Sequence, residues 1–232
     1  MAKPKSNVDR IYYALRQMAA DFEFKPDARI NEGELAAQVK ASRTPVREAL
    51  NRLVAEGFLT FKSGRGFFCR SLSPERILVL YQARVAIECE AVRLSCQRAS
   101  NEDIAALTAY LDQIEPDYSI CQDSIELLAM DEEFHLLIVG LSRNDELLRM
   151  LKILNDRIRY VRMINLTALR DNRPAVIDAG AKMSAHRKIL EALQNRELDG
   201  VVAAMRAHIE RRREEATEAV RIAFSQLYVP TD

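Results

Sequence analysis

The chain contains only three histidines, and each stands at core spacing on a predicted helix. His135 follows Leu128 by seven residues and precedes Ile138 by three. His186 follows Met183 by three and precedes Leu190 by four, and His208 follows Val201 by seven and Met205 by three. Asp131 precedes His135 by four residues, which at about 100° per residue leaves the two about 40° apart on one helix face. An inward carboxylate needs a partner, because an unpaired buried charge is costly. One carboxylate and three imidazoles suit a divalent transition metal. Each histidine taken alone reads more simply as a hydrogen-bonded core residue, and spacing cannot bring three helices to one point.

A second group of residues suits a polyanion. Ala41-Ser42-Arg43-Thr44-Pro45-Val46-Arg47-Glu48-Ala49-Leu50 opens a short helix, with Pro45 in the first turn, where a missing N–H costs little. A helix N-terminus points N–H groups and a positive dipole end at phosphate. Arg43 and Arg47 are one turn apart and project from one face. A guanidinium can bond guanine O6 and N7 together in the major groove. Thr44 can donate to a phosphate and so fix register. Any one of these arginines reads equally as a solvated side chain; the ensemble carries the DNA reading.

The elements that must hold these residues follow from periodicity. Val8, Ile11, Tyr12, Leu15, Met18, Ala19 and Phe22 form an apolar stripe that Pro26 ends. A short helix over about 32–40 and the Arg43 helix, which Gly57 ends, come next. Phe58–Lys62 and Phe67–Arg70 read as a hairpin around Ser63-Gly64-Arg65-Gly66. Three helices and a hairpin outline a winged helix-turn-helix over residues 1–72. Ser73-Pro74 is a helix start. Residues 73–232 then read as helix throughout, at about 74–99, 101–115, 122–141, 144–167, 174–195 and 197–224. Leu78, Tyr81, Val85, Cys89, Val92 and Cys96 mark the core stripe of the first. Short connections such as Ser142-Arg143-Asn144 imply antiparallel neighbours. The fold class is therefore mainly α, a winged helix-turn-helix followed by an antiparallel helical bundle.

Charge divides the same way. The formal net charge is zero, yet residues 1–72 hold 13 Lys and Arg against 8 Asp and Glu, and the remainder 21 against 26. A basic N-terminal module on an acidic body suits nucleic-acid binding by the first part alone. No apolar run approaches a membrane span, and the N-terminus lacks a signal-peptide core. Four cysteines without C-x-x-C spacing read as free thiols in a cytoplasmic protein.

Ser42-Arg43-Thr44-Pro45-Val46-Arg47-Glu48-Ala49-Leu50, then Leu53, Glu56-Gly57-Phe58-Leu59 and the wing Gly64-Arg65-Gly66-Phe67, resembles the signature of GntR-family regulators. The resemblance implies that Arg43 reads bases, that Thr44 and Arg47 hold the duplex, and that Gly64 lets the wing approach it. Gly33 departs from the pattern, standing where some members carry a DNA-contacting arginine. Asp27-Ala28 replaces the usual Pro-Gly, a loop change.

Asp131-Glu132-Glu133-Phe134-His135, Ser142-Arg143-Asn144 with Leu147-Leu148, His186–Leu193 and Met205–Ile209 are similar to the FCD sensor domain of the FadR-like branch. Ala185 and Glu197 depart from that pattern at positions that are not ligands. The resemblance implies one divalent transition metal per subunit (zinc, nickel or manganese) on Asp131, His135, His186 and His208. Tyr81-x-x-Arg84-x-x-x-Glu88 resembles the first sensor helix. An inward Arg84 suits a carboxylate effector beside the metal; a surface or dimer-interface arginine is the alternative. Arg157, Arg159 and Arg162 form a further basic cluster.

These residues predict a DNA-binding transcription regulator, not an enzyme. It is expected to act as a homodimeric repressor of double-stranded operator DNA under control of a small organic acid. A direct metal-ion sensor, a metalloenzyme using the Asp/His site, and a regulator with merely structural histidines are the competing readings.

Overall fold

The computed structural model describes residues 6–20, 23–71, 73–121, 123–171 and 179–228. Two compact units are distinguished: Met1–Ser73 with Asp156–Tyr160 and Phe224–Asp232, and Pro74–Asn155 with Val161–Ala223. Phe22, assigned to the first helix, and 174–178, assigned to the fifth helix of the bundle, lie outside the described residues.

In the first unit, α1 (Asn7–Ala20), α2 (Glu32–Gln38) and α3 (Arg43–Ala55) precede strands β1 (Leu59–Lys62) and β2 (Gly66–Cys69). The spacing that predicts α1 buries Ile11, Tyr12, Leu15 and Ala19, and α1 lies against α3, which buries Val46, Ala49, Leu50 and Leu53 in return. Polar contacts fix that pairing. The Tyr12 hydroxyl donates to Glu56 at 2.7 Å, and Arg52 bonds Asp9 at 3.0 Å while its guanidinium lies 3.8 Å from the Tyr12 ring centre. Asn31 caps α2 by accepting from the Gly33 and Glu34 N–H groups.

The wing is an antiparallel pair in which Thr60 faces Phe68 and Lys62 faces Gly66. Phe67 is buried beneath it and Phe61 stays exposed. The segment before α2 joins this hairpin: Ile30 N donates to Phe67 O and Cys69 N to Ala28 O, both at 2.9 Å. Sequence reading leaves 28–30 as loop, because three residues carry no alternation to detect.

The second unit is helical in all its described elements: α4 (Pro74–Arg98), α5 (Asn101–Ile120), α6 (Ser124–Gly140), α7 (Asp145–Asp171), α8 (Ala179–Gln194) and α9 (Leu198–Tyr228). A capping box of Ser100 and Asp103 starts α5, and the Asp123 side chain accepts from Ile125 N at the start of α6. α5 runs past Pro116, beyond the stop near 115 that the sequence suggests. Burial of Ile114 and Tyr118 on either side of the proline anchors the last turn. Tyr81, Val85, Cys89, Val92 and Cys96 of the predicted α4 stripe are buried; Leu78 is a correction, being 38% exposed, with Ile77 and Leu80 buried in the first turns instead. α4 meets α6, and α5 meets both α6 and α8. The Ser95 hydroxyl ties α4 to α6 through Ile138 O at 2.7 Å. The four cysteines are free thiols. Among the described residues no helix is long and apolar enough to cross a membrane.

Candidate nucleic-acid interface and metal centre

Alternation of buried and exposed positions along α3 leaves Arg43, Thr44, Arg47, Glu48 and Asn51 exposed on one side. Together with Arg29, Asn31, Glu32, Gly33 and Gly66 they line a concave surface of about 800 Å³. Ser42 stands at the N-cap of α3 in extended conformation, yet its side chain makes no capping hydrogen bond. The first N–H groups of α3 therefore point outward without the usual side-chain acceptor, where a phosphate oxygen can take them. Arg47 lies 3.8 Å from Glu32, a pair loose and exposed enough to exchange for phosphate. At the tip of the wing Gly64 has φ +70°, a left-handed turn conformation that glycine adopts without penalty, and a side chain there would meet open space. The wing's cations are held in place by Phe68, over which Lys62 and Arg65 lie at 4.6 and 5.6 Å. Arg29 lines the same surface. Sequence reading missed it, because its place depends on the 28–30 pairing.

In the second unit α6, α8 and α9 bring Asp131, His135, His186 and His208 together, all buried. One ligand atom from each can be chosen so that all four lie within 4.8 Å of one another. Two donors held at about 2.1 Å by one ion stand at most about 4.2 Å apart, so a contraction of a few tenths of an ångström would seat a cation. Helical spacing accounts for part of this geometry: Asp131 and His135 share a face of α6, their Oδ2 and Nε2 3.8 Å apart. Phe134 fills the apolar side, its ring centre 4.3 Å from that of His186.

The hydrogen bonds show what the cluster lacks. His135 Nδ1 bonds Glu88 Oε2, so this nitrogen carries the proton and Nε2 presents a lone pair to the cluster. His208 Nε2 lies 3.2 Å from it. Both nitrogens of His186 and Nδ1 of His208 are buried without a hydrogen-bond partner, although His186 Nε2 comes within 3.4 Å of Asp131 Oδ1. Buried, unsatisfied imidazole nitrogens are costly, and a cation would take up one nitrogen of each ring. The residues present therefore fit a divalent metal with an Asp/His₃ ligand set. Burial holds His186 below the usual histidine range against the opposing pull of Asp131, and burial, then the neighbouring imidazoles and Arg212, hold His208 well below it. Both are accordingly neutral near pH 7, the form that ligates.

Around these four stands a ring of charge. Glu88 on α4 is fully buried between His135 and Arg84, whose Nε donates to Glu88 Oε1. Burial pushes the Glu88 carboxyl up, but Arg84 and His135 outweigh it and pull it down to about 2. Arg84 is itself buried, against the surface alternative, and its Nη2 has no hydrogen-bond partner. Of the three α7 arginines read from sequence, Arg162 reaches Asp131 Oδ2 and also Glu132 at 3.1 Å. Arg212, not singled out by sequence, lies 3.4 Å from Asp131 Oδ1. Its signal was available: it follows His208 by four residues on α9. Burial works against the Asp131 charge, but Arg162, His186 and Arg212 hold its carboxyl well below the usual range.

Residues 7–69 match the gntR family of bacterial regulatory proteins, and residues 79–211 match the FCD domain. The chain belongs to the GntR family. This regulator is 42% identical to the "Nta operon transcriptional regulator" of Aminobacter aminovorans, over 91% of this chain and 95% of that one. It is 27% identical to the "HTH-type transcriptional repressor RspR" of Escherichia coli K12, over 91% and 88% of the two chains. Among solved structures the E. coli protein McbR/YncC shares its fold, with a TM-score of 0.64, 23% identity and 98% coverage of both chains. The protein is thus a DNA-binding transcription regulator with a GntR helix-turn-helix and an FCD domain, and the relatives named here are regulators.

Proposed function

We propose that this GntR regulator is a homodimeric repressor whose operator affinity is set by a small organic acid bound at a metal site in its helical domain. Residues 1–72 form the DNA-binding part and residues 73–232 the sensing and dimerisation part. One observation carries the proposal: a carboxylate and three imidazoles from three helices converge, one ligand atom from each within 4.8 Å of the others, and both nitrogens of His186 are buried without a hydrogen-bond partner. Asp131, His135, His186 and His208 would hold one divalent cation per subunit, zinc, nickel or manganese. Four protein ligands leave positions in an octahedral shell for a carboxylate. Arg84, buried beside Glu88 with a free Nη2 donor, is a further anchor for that acid. On the DNA side Arg43 reads bases, Thr44 and Arg47 hold phosphates, and Gly64 lets the wing approach the backbone. A two-fold operator matches two such winged helices.

The test is metal analysis with operator titration on the wild type and on His186→Ala. The wild type should carry one metal per subunit, and the variant should lose metal, lose the metal-dependent rise in melting temperature and lose the effector response, with DNA binding intact. A wild type that stays metal-free after incubation with zinc, nickel and manganese, yet answers an organic acid, would refute the metal site. Operator affinity that follows free metal without any organic acid would favour the direct metal sensor.

A further inference from the structure

Asp131 is shared among several cationic and imidazole groups. Its Oδ2 accepts from Arg162, and its Oδ1 lies 3.4 Å from both Arg212 Nη2 and His186 Nε2. Behind His135, Arg84 uses Nε on Glu88 and leaves Nη2 buried and unbonded. Asn155 precedes Arg162 by seven residues, hence on the same face of α7, and is buried with neither amide atom hydrogen-bonded.

Charge can be counted over the side chains round Asp131 that are no more than 13% exposed. Among the described residues they are three guanidiniums, Arg84, Arg162 and Arg212, and three carboxylates, Glu88, Asp131 and Glu132; Glu215, 3.3 Å from Arg212, is 29% exposed and its charge is screened by solvent. Imidazoles ligate a cation only when neutral. The set is therefore balanced on its own. A divalent cation on the four ligands adds two positive charges, and draws on the Asp131 oxygens that Arg162 and Arg212 now share. Unbalanced charge at such depth is strongly unfavourable, and an anion of charge two restores the balance of this set.

Resting on the metal reading above, we propose that the acid is a dicarboxylate. One carboxylate is directed to the Asp131–histidine cluster. The other is held by the guanidiniums of Arg162 and Arg212, whose planar forks match a carboxylate in two bonds.

The experiment uses the full chain loaded with zinc and freed of excess metal. Its melting temperature is titrated at constant ionic strength with acetate and propionate, with malonate, succinate and glutarate, and with inorganic phosphate. The best dicarboxylate should half-saturate at least about tenfold below either monocarboxylate, the effect of one added charge-assisted contact. Arg162→Gln and Arg212→Gln should bring that ratio to within about threefold of unity. Because the ratio compares two anions on one variant, a change in metal loading cancels. Should a glutamine variant fail to fold, Arg212→Lys keeps the charge without the fork, and should weaken the dicarboxylate several-fold. Equal midpoints for one and two carboxylates, phosphate matching the best dicarboxylate, or an undiminished ratio in the variants would each overturn the inference. Failure of the wild type to take up zinc would refute the metal reading and this inference with it; zinc uptake with a flat anion series refutes this inference alone.

Discussion

Replacing Glu88 with glutamine tests the network behind the metal ligands. Glu88 is fully buried and takes hydrogen bonds from both His135 Nδ1 and Arg84 Nε. Glutamine keeps the volume and one acceptor oxygen, but turns an N–H₂ group toward a second donor and leaves Arg84 without its counter-charge. The downward shift of the Glu88 carboxyl to about 2 from an ordinary 4.5 corresponds to about 3 kcal/mol of preference for the charged form. Breaking a buried pair from one side costs about 3–5 kcal/mol, which agrees. For a chain of this size that is a fall of about 6–20 °C in melting temperature. A second readout is independent: His135 loses the acceptor that fixes its tautomer, so metal affinity should drop about 10–100-fold. Thermal unfolding after chelator treatment reads the first, and zinc competition against a chromogenic chelator the second. The double variant Arg84→Met with Glu88→Leu removes both charges, so it should regain stability without regaining metal affinity. A single variant that melts within about 2 °C of wild type and binds zinc with unchanged affinity would refute the reasoning.

Other expectations follow from the same geometry. Arg43→Ala should cost about 1–3 kcal/mol on a specific operator and relax base preference in a binding-site selection. Arg47→Ala should weaken binding to all sequences and reduce the slope of log K against log salt by about 1. In metal-free protein, burial leaves His186 and His208 with folded values below the unfolded value near 6.5. The unfolded chain then binds protons more readily, so stability is complete above about pH 6.5 and declines as pH falls below it, ahead of any loss from Glu88 below about 4.5. Melts at pH 7.5 and 5.5 check this, and equal melting temperatures would count against buried neutral histidines. Sedimentation of the full chain at micromolar concentration should give a dimer mass, and a monomer there would count against the dimer.

Much of this architecture is legible in the residues because the decisive patterns are local. The α1 and α3 stripes, the wing and the helix starts at Ser73-Pro74 and Asp123 are set by neighbours a few positions apart. The Asp131/His135 pair is local too. That His186 and His208 join it is not, since helical periodicity says only that they face inward. What they meet depends on how α8 and α9 lie against α6. The same limit hides Glu88 as the acceptor for His135, 47 residues away. Arg84 illustrates the difficulty best: an arginine in a long helix reads as surface on composition, and only the buried carboxylate one turn later makes its burial affordable.

Gly33 stands where the sequence resemblance places an arginine in some members, and the structure gives the glycine a physical account. A Cβ at position 33 would stand 3.1 Å from Arg43 Nη2 and 3.3 Å from Asn31 Oδ1. The Arg43 guanidinium thus lies over the start of α2, in room that a side chain at 33 would fill. Glycine at 33 leaves that room to the Arg43 guanidinium on α3. Glu32 and Glu34 flank the glycine and add negative charge at the same spot, which disfavours close phosphate approach to α2. Phosphate contact is therefore left to α3 and the wing, where Thr44, Arg47, Lys62 and Arg65 stand. If base readout is concentrated on the N-terminal turns of α3, as proposed, the sequence preference should be narrower in extent than two reading helices would give, which a binding-site selection measures.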